Sequence, residues 1–126
     1  MVKSSELKKI YFGWLFDACI YEDLENNMVK IDTPFLDNQF DTIVIYAELL
    51  NNEKIRLTED GWTINNLESH GYSKKQSALL EDITNRLGIE IVNNELTVTA
   101  SIDQFPMIKQ RLIQAMLQAN DLIVFK

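Results

Sequence analysis

Five acidic side chains have the type and spacing that could support chemistry. They flank strand patterns that are expected to be neighbours in one sheet, so several could converge at one sheet end: Asp32, Asp37, Asp41, Glu59 and Asp60. Hard cations such as Mg²⁺ prefer oxygen ligands of this kind. One hypothesis is therefore a divalent-metal-dependent enzyme of nuclease or hydrolase type, with Asp32, Asp41, Glu59 and Asp60 as ligands. The spacing matches no defined metal motif, and roles in turns and helix caps are favoured.

Other catalytic signatures are weak. His70 is the single histidine, and its place before Gly71 favours capping of helix carbonyls. Cys19 follows an apolar helix pattern, which favours an inert buried thiol. The sequence has no Gly-rich phosphate loop and no GxSxG elbow. We therefore assign no catalytic residue and expect no cofactor, and a non-enzymatic role is favoured.

Aromatic residues suggest an interaction surface instead. Trp62 and Tyr72 occupy polar turns and are predicted to be exposed. Aromatic side chains are enriched at binding hot spots, so both are candidate interaction residues together with the acidic ones. The aromatic residues of the first helix are predicted mainly to pack in the core, with partner contact as the alternative.

Composition limits the class of protein and of partner. The 126 residues form one predicted domain, residues 1–126, with 46% hydrophobic and 25% charged residues. The formal net charge of −7 opposes binding to nucleic acid or anionic lipid and permits a basic protein partner. One cysteine and no apolar run of membrane-spanning length predict a cytoplasmic protein without a membrane partner.

Hydrophobic periodicity and turn residues predict the elements that position these side chains. Strand patterns come in hairpins, not as regular βαβ units, which indicates an α+β fold. The predicted sheet is mainly antiparallel, has about five strands, and packs against an N-terminal helix, a central helix pair and a long C-terminal helix. The predicted elements are a helix from Ser4 or Ser5 to about Asp17, strands at 29–35, 41–50 and 54–58, helices at 62–69 and from Ser73 to Gly88, a hairpin of 89–92 and 95–100, and a last helix capped by Asp103 with Pro106 in its first turn.

Local patterns also predict caps, turns and the core. Ser4 or Ser5 can cap the first helix, and Ser73 and Gln76 have capping-box spacing. Turns are predicted at Asn26-Asn27, Asn51-Asn52 and Asn93-Asn94, since Asn tolerates positive φ. One core is predicted to contain Ile43, Ile45, Leu57, Leu80, Ile83, Leu96, Val98, Ile108 and Leu112.

Three further expectations concern packing and turns. The strand 41–50 has apolar residues on both faces and is predicted to be covered on both sides. Gly61 is predicted to adopt positive φ, with Asp60 accepting backbone N–H bonds at the following helix start. The apolar tail is predicted to pack back as a strand or to form a homodimer contact through Leu122, Ile123, Val124 and Phe125.

Several segments of the chain resemble a bacterial and prophage-associated family catalogued as domain of unknown function 1828. They are Thr33–Asp37, Asp41–Tyr46, Leu57–Ile64, Asn66–Glu68, Arg86–Gly88, Asn94–Leu96 and Leu112–Ala115. The family usually has Asp-Asp-Gly where this chain has Glu59-Asp60-Gly61. The resemblance implies a prophage or mobile-element context and carries no catalytic role.

Together these features predict a small cytoplasmic protein that binds another protein, as an acidic inhibitor or accessory factor. The metal-dependent enzyme is the alternative, and a self-associating structural protein is the second alternative.

Overall fold

The computed structural model describes residues 1–124 and confirms an α+β fold. Six antiparallel strands form one sheet in the order β1-β2-β3-β4-β6-β5. The strands are β1 (Ile20–Asp23), β2 (Met28–Leu36), β3 (Thr42–Leu49), β4 (Lys54–Thr58), β5 (Glu90–Val92) and β6 (Glu95–Ser101). The helices of this described part are α1 (Ser4–Ala18), α2 (Trp62–Ser69), α3 (Lys74–Leu87) and α4 (Phe105–Asn120). None of them is long and apolar enough to cross a bilayer.

The core lies between one face of the sheet and the helices α2, α3 and α4. Ile31 and Ile45 are paired in register across β2 and β3, and Leu57 continues the same face in β4. All three are fully buried, since alternate strand residues point to one face. The predicted core is confirmed in full, with Ile83 and Val98 partly buried around it: Ile43, Ile45, Leu57, Leu80, Ile83, Leu96, Val98, Ile108 and Leu112.

The prediction that β3 is covered on both sides is wrong. Its burial alternates strictly, and Val44, Tyr46 and Glu48 on the second face are only half-buried. Glu48 there pairs with Arg56 of β4 at 3.5 Å. Both side chains of this pair are more than one-third exposed, so the second face of the sheet is open to solvent here and β3 is buried on one face only.

The expectation of a deeply packed first helix is also wrong. No residue of α1 is buried, and only Leu15 and Ala18 are half-buried. α1 leads into the edge strand β1 and packs against β2. Its large apolar side chains are consequently exposed.

Turn residues were predicted more reliably than caps. Asn26 and Asn27 adopt positive φ as expected, and Asn93 and Asn94 do so between β5 and β6. The β3–β4 turn instead places Asn52 and Glu53 at positive φ, one residue later than expected.

The predicted side-chain caps of α1 and α4 are wrong. The predicted position of Pro106 in the first turn of α4 is confirmed. α1 begins after Lys3 without a side-chain cap. Asp103 accepts a hydrogen bond from the Ser101 hydroxyl at 2.6 Å, and α4 begins after Gln104.

The tail is not a strand in the described residues. Asp121–Val124 form a 3₁₀ turn, and Leu122 is buried in the core of its own chain with 5% exposure. Phe125 lies outside the described residues. A homodimer through this tail stays a prediction, although Leu122 is already covered.

Candidate functional site

A cavity of about 500 Å³ opens where the β2–β3 loop meets the β4–α2 turn. We call it the acidic cleft. Among the described residues, its lining contains four carboxylates, two aromatic rings and no Lys or Arg: Asp37, Asp41, Thr42, Ile43, Val44, Tyr46, Glu59, Asp60, Gly61, Trp62, Asn65 and Met116. Two connections between regular elements therefore bring the acidic residues together.

The β2–β3 loop is fixed by Asp37. Its Oδ1 accepts the backbone N–H groups of Gln39 at 2.8 Å and Asp41 at 3.0 Å. Phe40, between them, has φ of +63° and is 83% exposed. A bulky residue at positive φ is a strained conformation. In this loop the strained residue exposes an aromatic ring to solvent. Phe40 was missed by the sequence reasoning, although an aromatic residue inside a polar turn was a usable signal.

The β4–α2 turn is fixed by Glu59 and not by Asp60. Gly61 has φ of +77°, as predicted, and Asp60 also lies in the left-handed region at +64°. Asp60 makes no side-chain cap of α2, so that prediction is wrong. Glu59 accepts the N–H of Thr63 in the first turn of α2 at 3.4 Å.

Glu59 also ties the turn to β6. Its Oε1 accepts the backbone N–H of Leu96 at 2.8 Å, and its side chain is 1% exposed. Burial raises the pKa of Glu59 from 4.5 to about 6. The N–H groups of Leu96, Thr63 and Trp62 lower this pKa, and the nearby charge of Glu95 raises it. Glu59 is therefore a structural carboxylate in the wall of the cleft.

The accessible chemistry of the cleft lies with Asp41, Asp60 and Trp62. Both aspartates are exposed, and in the described part of the chain their carboxylates have no hydrogen bond or ion pair. Trp62 is half-buried in the wall and was predicted to be more exposed. Two free carboxylates beside an indole ring suit a cationic group, by ion pairing and by cation–π contact.

Two predicted site residues lie elsewhere. Asp32 is paired in register with Val44 in the β2–β3 ladder and does not line the cleft. Tyr72 is half-buried and packs against the core before α3. Among residues 1–124, no three His, Cys, Asp or Glu side chains come together as a group that could hold a metal ion. The four ligands of the enzyme hypothesis are thus not assembled as one cluster.

The remaining candidates, His70 and Cys19, lie outside the acidic cleft. The Nδ1–H of His70 donates to the Asn66 carbonyl at 2.8 Å, which confirms its helix-capping role. Cys19 is half-buried at the end of α1, more accessible than expected. Neither residue borders the acidic cleft.

Comparison with known proteins places this chain at the level of a family. No curated protein and no solved structure matches it. The family described as "Domain of unknown function DUF1828" matches residues 33–119. The matched range contains every residue that lines the acidic cleft and leaves out α1 and β1. Since the match covers more than half of the sequence, the chain belongs to the DUF1828 family.

Proposed function

We propose that this protein acts by binding another protein, and that the acidic cleft receives a lysine or arginine side chain from a basic segment of that partner. The observation that carries the proposal is the lining of the cleft, which joins free carboxylates to aromatic rings and contains no basic residue among residues 1–124. A desolvated cation between such groups gains charge-assisted hydrogen bonds.

Each wall of the cleft has a separate part in this binding. Asp41 and Asp60 provide the negative charge, and the indole of Trp62 offers a face for a guanidinium or ammonium group. Phe40 does not line the cleft, but it directly precedes Asp41 in the β2–β3 loop and exposes an aromatic ring that can serve as an apolar anchor. An aromatic anchor next to a charge contact is typical of binding hot spots.

The net charge supports the same kind of partner. A charge of −7 attracts a basic protein over long range and accelerates the encounter. The proposal includes a cytoplasmic location, supported by the single cysteine, and a prophage or mobile-element origin, supported by the family resemblance. An inhibitor or accessory factor of a basic host or phage protein fits these features.

The test is calorimetric titration with an arginine-containing peptide, its lysine counterpart and its glutamine counterpart. The first two should bind and the third should not. Asp60→Asn and Asp41→Asn should each weaken binding by about tenfold or more, since each removes a charged acceptor. Glu81→Gln removes one exposed charge from α3, outside the cleft, and should leave the affinity unchanged. Equal losses in all three variants would show unspecific charge attraction and reject the cleft.

Phe40→Gly separates binding from folding. Glycine relieves the positive φ, so thermal stability should rise while peptide binding weakens.

Titration with Mg²⁺ or Mn²⁺ addresses the enzyme alternative on the same samples. Tight metal binding that Asp60→Asn abolishes, without peptide binding, would replace this proposal with the metal-dependent enzyme.

A further inference from the structure

α1 packs on its own chain only through its C-terminal end. The helix contacts β2, and Leu15 and Ala18 are its half-buried residues. Towards the N-terminus the same side of the helix is uncovered, and it carries four large apolar residues that are each more than half exposed: Leu7, Ile10, Tyr11 and Trp14. We call these four the anchor residues. Their spacing puts them on one helix face, in the pattern by which a helix docks into an apolar groove.

An apolar groove borders the same helix on another side. It has a volume of about 570 Å³ and is bounded by α1, the start of β1 and one residue of α4: Phe12, Leu15, Phe16, Cys19, Tyr21 and Lys109. We call it the α1 groove. The Lys109 Nζ donates a hydrogen bond to the Tyr21 hydroxyl at 3.0 Å, which ties α4 to β1 beside the helix. Phe16 is 83% exposed, so this wall of the groove is open to a partner.

The anchor residues cannot enter the groove of their own chain. At about 100° per residue, Phe12 and Phe16 lie roughly 100° or more around the helix from every anchor residue. One side of α1 therefore forms a wall of the groove, while the anchor residues project from a different side. Filling the α1 groove with this helix requires a second copy of the chain.

A two-fold dimer covers both surfaces at once. In an isologous interface every contact occurs twice, so the anchor residues of each copy can occupy the groove of the other. A large apolar side chain that is half exposed offers on the order of 100 Å² for burial. The six such side chains of α1 in each copy together bring roughly 1,200 Å² to the interface, which is the lower end for a stable, specific complex.

The polar side of α1 stays in water in this arrangement. Glu6, Lys9, Gly13 and Asp17 fall between Ile10 and Phe16 around the helix, outside both the anchor face and the groove wall. Lys8 lies one turn before Phe12, and its long side chain can reach water from the edge of an interface. Docking thus covers the apolar surface of α1 without burying its charges.

We propose that α1 of each copy docks its anchor residues into the α1 groove of a second copy, so that the protein is a two-fold homodimer by reciprocal helix docking. The inference goes beyond the proposed function and uses none of the residues that line the acidic cleft. Each dimer presents two acidic clefts.

Sedimentation analysis of the full chain across the micromolar range tests the docking. The wild-type protein should be a dimer. Ile10→Glu puts a carboxylate among the anchor residues, and Phe16→Glu puts one in the groove wall. Each should raise the dimer Kd by about a hundredfold or more, because the charge is buried at two symmetric sites. Gly13→Glu is the matched control: it adds the same charge on the polar side, where a Cβ atom meets nothing within 4 Å, and should leave the Kd unchanged.

Mixing the two variants distinguishes docking into the groove from a contact between two anchor faces. Ile10→Glu keeps an intact groove and Phe16→Glu keeps intact anchor residues, so the mixture should form a heterodimer through one intact contact. Ile10 and Phe16 are 65% and 83% exposed in the single chain, so neither substitution removes packing that folding needs.

Four results would overturn the inference. They are a wild-type monomer at high micromolar concentration, a Phe16→Glu dimer with the wild-type Kd, a mixture that stays monomeric, and a loss in Gly13→Glu equal to that in the other variants.

Discussion

At the scale of single residues, the buried Glu59 holds two elements of the fold together. It connects the start of α2 to β6 through backbone N–H groups 33 residues apart in sequence, those of Thr63 and Leu96. A buried carboxylate with a raised pKa is a frequent sign of a catalytic group. Here both carboxylate oxygens of Glu59 accept main-chain hydrogen bonds. Its raised pKa should therefore appear as a pH dependence of folding stability, which can be measured.

Glu59 should make the stability depend on pH. The pKa in the folded protein is about 6, above the ordinary value of 4.5, so folding favours the protonated form. This contribution is fully present below pH 4.5 and is lost as the pH rises through 6. The free energy of unfolding should therefore fall by about 2 kcal/mol over that window.

Chemical denaturation at a series of pH values provides the measurement. Glu59→Gln should flatten the dependence because an amide does not titrate, whereas Asp60→Asn, an exposed neighbour, should keep it. A dependence that survives in Glu59→Gln would assign it to other groups.

At the scale of elements, α3 is the best-anchored helix. It has a full capping box, in which the Ser73 hydroxyl accepts the N–H of Gln76 at 3.1 Å and the Gln76 amide oxygen accepts the N–H of Ser73 at 2.9 Å. The buried Gln76 also donates from Nε2 to the Leu122 carbonyl at 2.9 Å. One side chain thus caps a helix and holds the C-terminal turn.

Gln76→Ala should cost more than loss of a cap. Ser73→Ala removes one cap acceptor and should lower the free energy of unfolding by about 1 kcal/mol. Gln76→Ala also leaves the buried Leu122 carbonyl without this donor, and should cost about 2–4 kcal/mol. Urea unfolding of the two variants measures the difference. Equal losses would show that the bond to Leu122 contributes nothing.

Sequence reasoning succeeded for elements that are specified locally. The capping box of α3, the helix over 62–69 and the Asn93–Asn94 turn all depend on neighbours in sequence, and all are confirmed. β1 was missed because Ile20–Asp23 shows too little alternation, and its pairing with β2 makes it a strand. The role of Glu59 depends on Leu96, which no local pattern could reveal.

For the candidate site, the sequence predicts the acidic turn. It does not predict which of its carboxylates are structural and which are free to bind a ligand. Asp37, Asp41, Glu59, Asp60 and Trp62 do line one cleft. Burial decides which carboxylates are structural and which are free, and it depends on the tertiary fold.

At the scale of the whole molecule, the C-terminal turn closes the core. Leu122 packs with residues of the sheet and helices, although it lies at the end of the described chain. The turn Asp121–Val124 is thereby packed on the core of its own chain.

Leu122→Ala should destabilise the protein without changing its association. Removing a buried leucine side chain costs about 2–5 kcal/mol. Thermal unfolding should show this loss, and light scattering under native conditions should give the same mass as for the wild-type protein. A change in mass without a loss of stability would instead support the homodimer through the tail.

The two edges of the sheet limit how large an assembly can become. β1 has four residues and β5 has three, and they carry Glu22, Asp23 and Glu90. Short, negatively charged edges are poor templates for strand addition from another molecule, which is the step that propagates fibrils. A crowded solution of this protein should therefore hold discrete particles instead of growing filaments.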